Sequence, residues 1–452
     1  PYRFRGLAGR FTYGFDDRYF AEFNFGYNGS ENFTPKNRYG FFPSVGLGWV
    51  ISNESFFEPL TNVIQYLKVR GTWGQVGNSQ ISGRRFAYLA TVTDSSSTSY
   101  TFGKNMDQNY GTTAIDEYAV DVTWEVADKT DIGVDMRLLN NKLNLQFDYF
   151  KESRKGIYLR RSSIPSYVGM INNPYGNIGK VENKGFELSV NYANSWGGDW
   201  SLSLMGNYSF NRNKVLEDDS TVVYPWQNTI GNKVGQRFGL VALGLFESYG
   251  EIAASPVQTG DTRPGDIKYK DINGDGKIDE YDKVPIGWGS VPEIMYGFGF
   301  SVGWKNLSLT AMFQGAAHVD AMLSGEGVLP FSQGSSRGNL LSNITDRWTE
   351  ENPRQNAFYP RLSIGNINMN YEESTWWLKD TDYLRLKNIE LSYRLPDHWM
   401  KRIHLDNARI FIQGVNLLTF SSFKIWDVEL GDGRGARYPN IASVSLGVNF
   451  NF

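Results

Sequence analysis

The segment KDINGDGKIDEYDK, residues 270–283, sets oxygen-bearing side chains at alternating positions around two glycines. Counted from Asp271, Asn273 and Asp275 fall at the third and fifth positions and Gly276 at the sixth. The Lys277 carbonyl falls at the seventh, Asp279 at the ninth and Asp282 at the twelfth. These are the offsets of an EF-hand calcium loop, in which a glycine at the sixth position makes the sharp turn. Donors that are all oxygen, on a bent loop, suit a hard cation with six or more partners, Ca²⁺ ahead of Mg²⁺. An Asp at the twelfth position reaches less far than the usual Glu, which weakens bidentate closure. The plainer reading of the same residues is a hydrated Asp/Asn/Gly turn.

Other chemistry is sparse. Cysteine is absent, which removes thiol nucleophiles, disulfides and cysteine metal sites. His318, His398 and His404 have no metal spacing. GNIGK (176–180) lacks the rest of a phosphate loop, and GFGFSVG (297–303) lies inside a strand pattern rather than before a helix. G-x-S-x-G occurs at 299–303, inside that same strand pattern, and at 334–338, in a Gly/Ser-rich loop stretch, neither set between a strand and a helix, and Glu350/Glu351 and Glu372/Glu373 read as hydrated loop charge. The expectation is therefore no enzyme. A net charge of −3 without a polybasic run argues against nucleic acid. Loop tryptophans are the remaining candidates: Trp288, Trp376, Trp377 and Trp426 stand beside hydrogen-bonding groups, with NYEESTWWLKD (370–380) densest. Such rings could stack on sugars or pack on a partner protein, or simply pack the loops on one another.

The elements that must position these loops are strands. Aromatics make up 15 % of the 452 residues, yet mean hydropathy is −0.41, which a membrane barrel allows because only every second residue faces lipid. SVSLGVNFNF (443–452) alternates without error, and KLNLQFDYF (142–150), WSLSLMGNYSF (200–210) and NLSLTAMFQGA (306–316) follow the same period of two. The pattern predicts strands at 3–15, 18–28, 40–52, 64–75, 128–140, 142–153, 178–193, 198–211, 291–304, 306–317, 383–395, 408–419 and 442–452. The links alternate short (16–18, 140–142, 194–199, 305–306) and long (29–39, 76–127, 154–177, 212–290, 318–382, 420–441), with medium links at 53–63 and 396–407. Short turns on one side and long loops on the other mark an all-β transmembrane antiparallel barrel. Trp49, Trp196, Trp200, Trp304 and Trp399 fall beside the short turns, where an aromatic girdle belongs. The chain then starts outside and ends at Phe452 in the periplasm. GLVALGLFES (239–248) is assigned to an outside loop, and residues 249–290 form the loop that carries the acidic stretch.

Several segments, in order, resemble the C-terminal barrel portion of SusC-like (SusC/RagA-type) TonB-dependent outer-membrane transporters of Bacteroidetes. They are VTWEVADKTDIGVDMRLLNNKLNLQFDYF (122–150), NIGKVENKGFELSVNY (177–192), PGDIKYKDINGDGKID (264–279), VPIGWGSVPEIMYGFGFSVGWKNLSLTAMFQGA (284–316) and YLRLKNIELSYRLP (383–396). The resemblance implies a barrel of 22 strands, of which about 13 lie here, with the plug domain and the other strands in an upstream part of the same protein. It also implies active import of glycan or peptide fragments across the outer membrane, a SusD-like surface lipoprotein as lid, and TonB acting through the plug. A passive porin or structural barrel is the alternative. A secreted calcium-dependent carbohydrate-binding protein would have to be soluble without detergent.

Overall fold

The computed structural model describes residues 3–81, 84–104, 106, 108–331, 340–365, 367–402, 405–431 and 433–451. Pro1, His404 and Phe452 lie outside these residues. One antiparallel sheet of thirteen strands, joined in sequence order, organises the chain. Its strands are β1 (Phe4–Phe15), β2 (Tyr19–Ser30), β3 (Tyr39–Val50), β4 (Ile64–Asn78), β5 (Glu125–Leu138), β6 (Leu143–Arg160) and β7 (Tyr175–Trp196). They continue with β8 (Trp200–Glu217), β9 (Ile294–Trp304), β10 (Leu307–Ala317), β11 (Tyr383–Arg394), β12 (Asn407–Ser421) and β13 (Ser443–Asn451). β1 and β13 form the two edges. All thirteen expected strands are present, and 239–248 stays out of the large sheet. Its short strands Arg237–Gly239 and Ala242–Leu245 pair instead with Val284–Ile286 and Ile267–Tyr269.

Register turns the alternation into two surfaces. Leu202 pairs with Val302, Val302 with Leu309, Leu309 with Leu391, Leu391 with Ile412 and Ile412 with Leu446, one apolar row across six strands. A second row runs Trp200, Trp304, Leu307, Tyr393, Ile410 and Val448. Because the side-chain period is two, a slip of one residue would send every one of these to the opposite face. Nothing among the described residues covers this surface: Leu446 is 78 % exposed and Phe11 66 %. Trp49, Trp196, Trp200, Trp304 and Trp399 are all exposed at the short-turn end.

The turns suit their residues. Asp16 and Asp17 take the left-handed conformation, as do Asn140 and Asn141, which the short polar side chains tolerate best. Three strands rise further than the alternation predicts, with β6 at 18 residues, β7 at 22 and β8 at 18. Their upper halves are charged rather than apolar, so hydropathy stops at the rim while the ladder continues. Cross-strand pairs stabilise that extension: Arg154 with Glu125, Lys155 with Asp128, Lys180 with Glu217. A hairpin within 76–127, Thr91–Phe102 with Gln108–Glu117, was also not foreseen.

The packed core lies in the loops. Leu240, Tyr269, Trp348, Tyr359 and Trp377 belong to one buried cluster drawn mainly from 218–293, 318–382 and 422–442. A smaller cluster gathers Phe33, Phe42, Ile81, Val122, Trp124 and Tyr158 over the β2–β6 sector. The sheet thus carries an apolar outer face, a polar inner face and a folded cap above its long-loop end. An Arg at outward Leu145 or Leu309 should cost about 2–4 kcal/mol near the middle of a bilayer, and far less at inward Asn144 or Thr310. Unfolding titrations of the protein in lipid check this, with equal costs on the two faces as the contrary result.

Candidate functional site

The inner face of β4, β5 and β6 carries a charged cluster that the sequence reading did not single out. Arg70 reaches Asp131 at 3.0 Å and Asp135 at 3.4 Å and also pairs with Asp148, which accepts from Gln146 through its other oxygen. One guanidinium faces three carboxylates, leaving a surplus of negative charge on the wall. Gly133 makes the crossing possible, since a Cβ there would stand 2.5 Å from the Arg70 Cζ. The available signal was D-x-x-x-D on the polar register of β5. Higher up, a groove of about 820 Å³ is lined by polar Asn183, Asn211, Asn213, Glu152, Arg154 and Lys180 and by apolar Ile157, Leu159, Val181, Val215 and Phe238. The polar groups donate and accept hydrogen bonds without forming an acid–base or nucleophile arrangement. The wall can hold polar molecules and water.

In the cap, Asp266 is the hub. It is 1 % exposed and takes both Nε and Nη2 of Arg361, the Asn370 amide at 2.8 Å, the Asn368 amide at 3.1 Å and the Arg263 backbone N–H at 2.9 Å. The acidic loop begins five residues later. Asp271 accepts from the Gly274 and Gly276 N–H groups, Asn273 Oδ1 from Asp275 N–H, and Asp275 Oδ1 from Lys277 N–H. Asp279 accepts from Tyr281 N–H. Asp282 is fully buried and takes N–H groups of Ile272, Asn273 and Asp279. Gly274 and Gly276 both have positive φ with open space around them. Among the described residues no group of three or more acidic or imidazole side chains is gathered for a metal ion. The loop positions of the sequence reading form a turn held by its own backbone, with their carboxylates each on local N–H groups rather than converging on one point.

The four candidate tryptophans separate. Trp377 is 1 % exposed and donates to the Asn370 carbonyl, so it is core and offers no face to a ligand. Trp376 donates to the Phe358 carbonyl, and Trp426 meets Phe423 edge-on; both pack against the same cluster. Trp288 alone of the four stays substantially exposed, at 43 %. Its backbone N–H and that of Gly289 are held by the buried Asp320, which also pairs with Arg237. Its ring lies parallel to His318, 4.0 Å between centroids, with Lys233 Nζ 5.0 Å and the Arg212 guanidinium 5.8 Å from it.

Beneath that ring sits Glu293, 4 % exposed. Burial pushes its pKa up, but hydrogen bonds from Arg212, Lys233 and His318 outweigh it and hold the carboxyl at about 2. The three donors come from the end of β8, the loop after it and the residue that follows β10. Glu293 therefore ties the cap to the wall.

Residues 3–417 match the family model described as TonB dependent receptor-like, beta-barrel. The chain belongs to that family. It is 28 % identical to TonB-dependent receptor P3 of Formosa agariphila over 99 % of its own length and 45 % of the relative's. It is 27 % identical to TonB-dependent receptor SusC of Bacteroides thetaiotaomicron over 98 % of its length and 43 % of that protein's. Among solved structures, the RagAB peptide transporter superposes on all of this chain and 48 % of its own, with a TM-score of 0.72 at 22 % identity. The chain spans about half the length of these relatives. The strand pattern, the sheet and the resemblance to SusC and RagA thus agree on a TonB-dependent β-barrel, and the family's members are transporters and receptors rather than enzymes. His318 directly follows β10 at the long-loop end, and His398 lies in the link between β11 and β12 at the short-turn end.

Glu293 supplies a test through pH. Its folded pKa is depressed below the ordinary value of 4.5, so its contribution is complete above that value and is lost as pH falls toward about 2. Glu293→Gln should lower stability by about 2–3 kcal/mol at neutral pH. Thermal melts across pH should show wild type and variant converging in acid; a gap that is constant with pH would contradict the assignment.

Proposed function

We propose that this barrel segment forms part of an outer-membrane active importer of glycan or peptide fragments. An upstream part of the same protein would supply the plug and the remaining strands, a SusD-like lipoprotein would close the outside, and TonB would act through the plug. The observation that carries this reading is the family match over 3–417, joined to a polar inner wall and a folded cap on the long-loop side. The short-turn end with its tryptophans would face the periplasm, and the chain would reach it through β13. Its partners are then lipid on the outer face and an oligosaccharide or peptide on the inner one. The similar RagAB structure is that of a peptide transporter, which brings peptides into consideration; the glycan class is what the resemblance to SusC-like transporters implies, and Trp288 is the tryptophan proposed to touch cargo.

The acidic loop is proposed to bind Ca²⁺ through Asp271, Asn273, Asp275 and the Lys277 carbonyl, with Asp279 or Asp282 completing the set. Two features support it. The backbone hydrogen bonds already fix the turn, and the buried Asp282 has no cationic partner among the described residues. When bound, the ion would neutralise the loop's charge and brace the cap.

Uptake of labelled oligosaccharides and peptides by cells should require both this protein and TonB. Uptake that persists without TonB would mark a passive pore. For the loop, Tb³⁺ luminescence sensitised by Trp226, which donates to the Tyr281 carbonyl at 2.8 Å, should be displaced by Ca²⁺ and fall in Asp275→Ala. A signal unaffected by that substitution would remove the cation from the account.

A further inference from the structure

A cavity of about 640 Å³ opens in the cap between 341–346, 379–380 and 422–425, away from the acidic loop and from Trp288. Its lining includes the apolar rings of Phe358 and Phe423 and the polar side chains of Ser342 and Asn343. Two lysines, Lys379 and Lys424, line it, and neither has an ion-pair partner among the described residues. Lys379 is the unusual one. Its strand, Leu378–Asp380, is pinned by pairing with Asp320–Met322, so the side chain starts from a fixed backbone. The ammonium donates to the Trp376 carbonyl at 2.8 Å and stands 5.3 Å from the centre of the Phe358 ring. An ammonium has three donors, and here only one meets an acceptor among the described residues. Burial lowers its pKa, the direction expected of a cation short of counter-charge.

Two carboxylates, Asp346 and Asp380, also line the cavity, and each has a partner other than Lys379. Asp346 pairs with Arg354 at 2.6 Å, and Asp380 Oδ1 accepts the Asp382 N–H at 2.8 Å. Neither comes within ion-pair distance of Lys379. A half-buried lysine without a carboxylate, over an aromatic face and beside a hydroxyl and an amide, is a receptor for a carboxylate with an apolar flank.

We propose that this cavity binds a ligand carboxylate at Lys379, with Lys424 adding charge at the mouth and Phe358 and Phe423 taking the flanking apolar surface. A peptide C-terminus and a hexuronic acid share that chemistry. The site is read from the cap alone and is independent of the transport proposal: it could bind without uptake, and uptake could proceed without it.

The test is pulsed acetylation of the full-length transporter in detergent, with mass spectrometry following Lys379 against exposed Lys142. The probes are trialanine, trialanine amide, methyl glucuronide and methyl glucoside. A carboxylate probe should slow acetylation of Lys379 about tenfold at ten times its dissociation constant, and leave Lys142 unchanged. Protection by trialanine but not its amide assigns the peptide terminus; protection by the glucuronide but not the glucoside assigns the uronic acid. Failure of both carboxylates to protect, or equal protection by the neutral analogues, overturns the proposal. Because the wild-type protein is used, no folding defect of a variant can obscure the result.

Discussion

A strand that lies in hydrocarbon must satisfy its N–H and C=O groups sideways, because lipid offers neither donor nor acceptor. Everything else in this chain follows from that requirement. Neighbouring strands have to be antiparallel and in register for their full height, so links must be tight at one end and free to grow at the other. Side chains then alternate between lipid and interior, and each strand needs apolar residues only at every second position. The rows running from Leu202 to Leu446 and from Trp200 to Val448 are the direct product of that register.

Such a wall buries little within itself, and folded structure accumulates where the chain leaves it. The long loops bring enough apolar residues to build a core of their own, with Trp377, Tyr269 and Tyr359 at its centre. Polar hubs fix its parts: Asp266 gathers Arg361, Asn368 and Asn370, and Arg385 on β11 is paired with Asp427 and Glu429 of the last long loop. Glu293 performs the same service at the junction of cap and wall. The cap is thereby a surface of defined shape, on which an exposed Trp288, a braced acidic turn and the Lys379 cavity occupy separate places.

The thirteen strands and their order were legible because alternation acts locally and every membrane strand displays it. Strand height was not, since Arg154, Lys155 and Glu217 continue a ladder that hydropathy no longer marks. The acidic loop could be found from spacing, whereas its role for Asp282 as a buried acceptor of three backbone N–H groups depends on residues folding back from 272 and 279. The tryptophans show the limit most plainly. Trp376 and Trp377 are adjacent in sequence and only one is fully buried, because a loop has no period from which burial can be read. The Arg70 cluster and the Lys379 cavity each join strands or loops far apart in the chain; D-x-x-x-D on β5 marks two members of the first, and no local pattern names the partners they meet.

The central claim is that the sheet has one face in lipid and the other in water. The absence of cysteine from this chain permits a direct measurement. Single cysteines placed in turn along β13, from Ser443 to Asn451, and along β10 can be labelled in native outer membranes with a membrane-impermeant maleimide and with a lipid-soluble one. The account predicts strict alternation, with Val444, Leu446 and Val448 taking only the lipid-soluble reagent and Ser445, Gly447 and Asn449 the aqueous one. Labelling by the aqueous reagent at both sets of positions, or at neither, would contradict it.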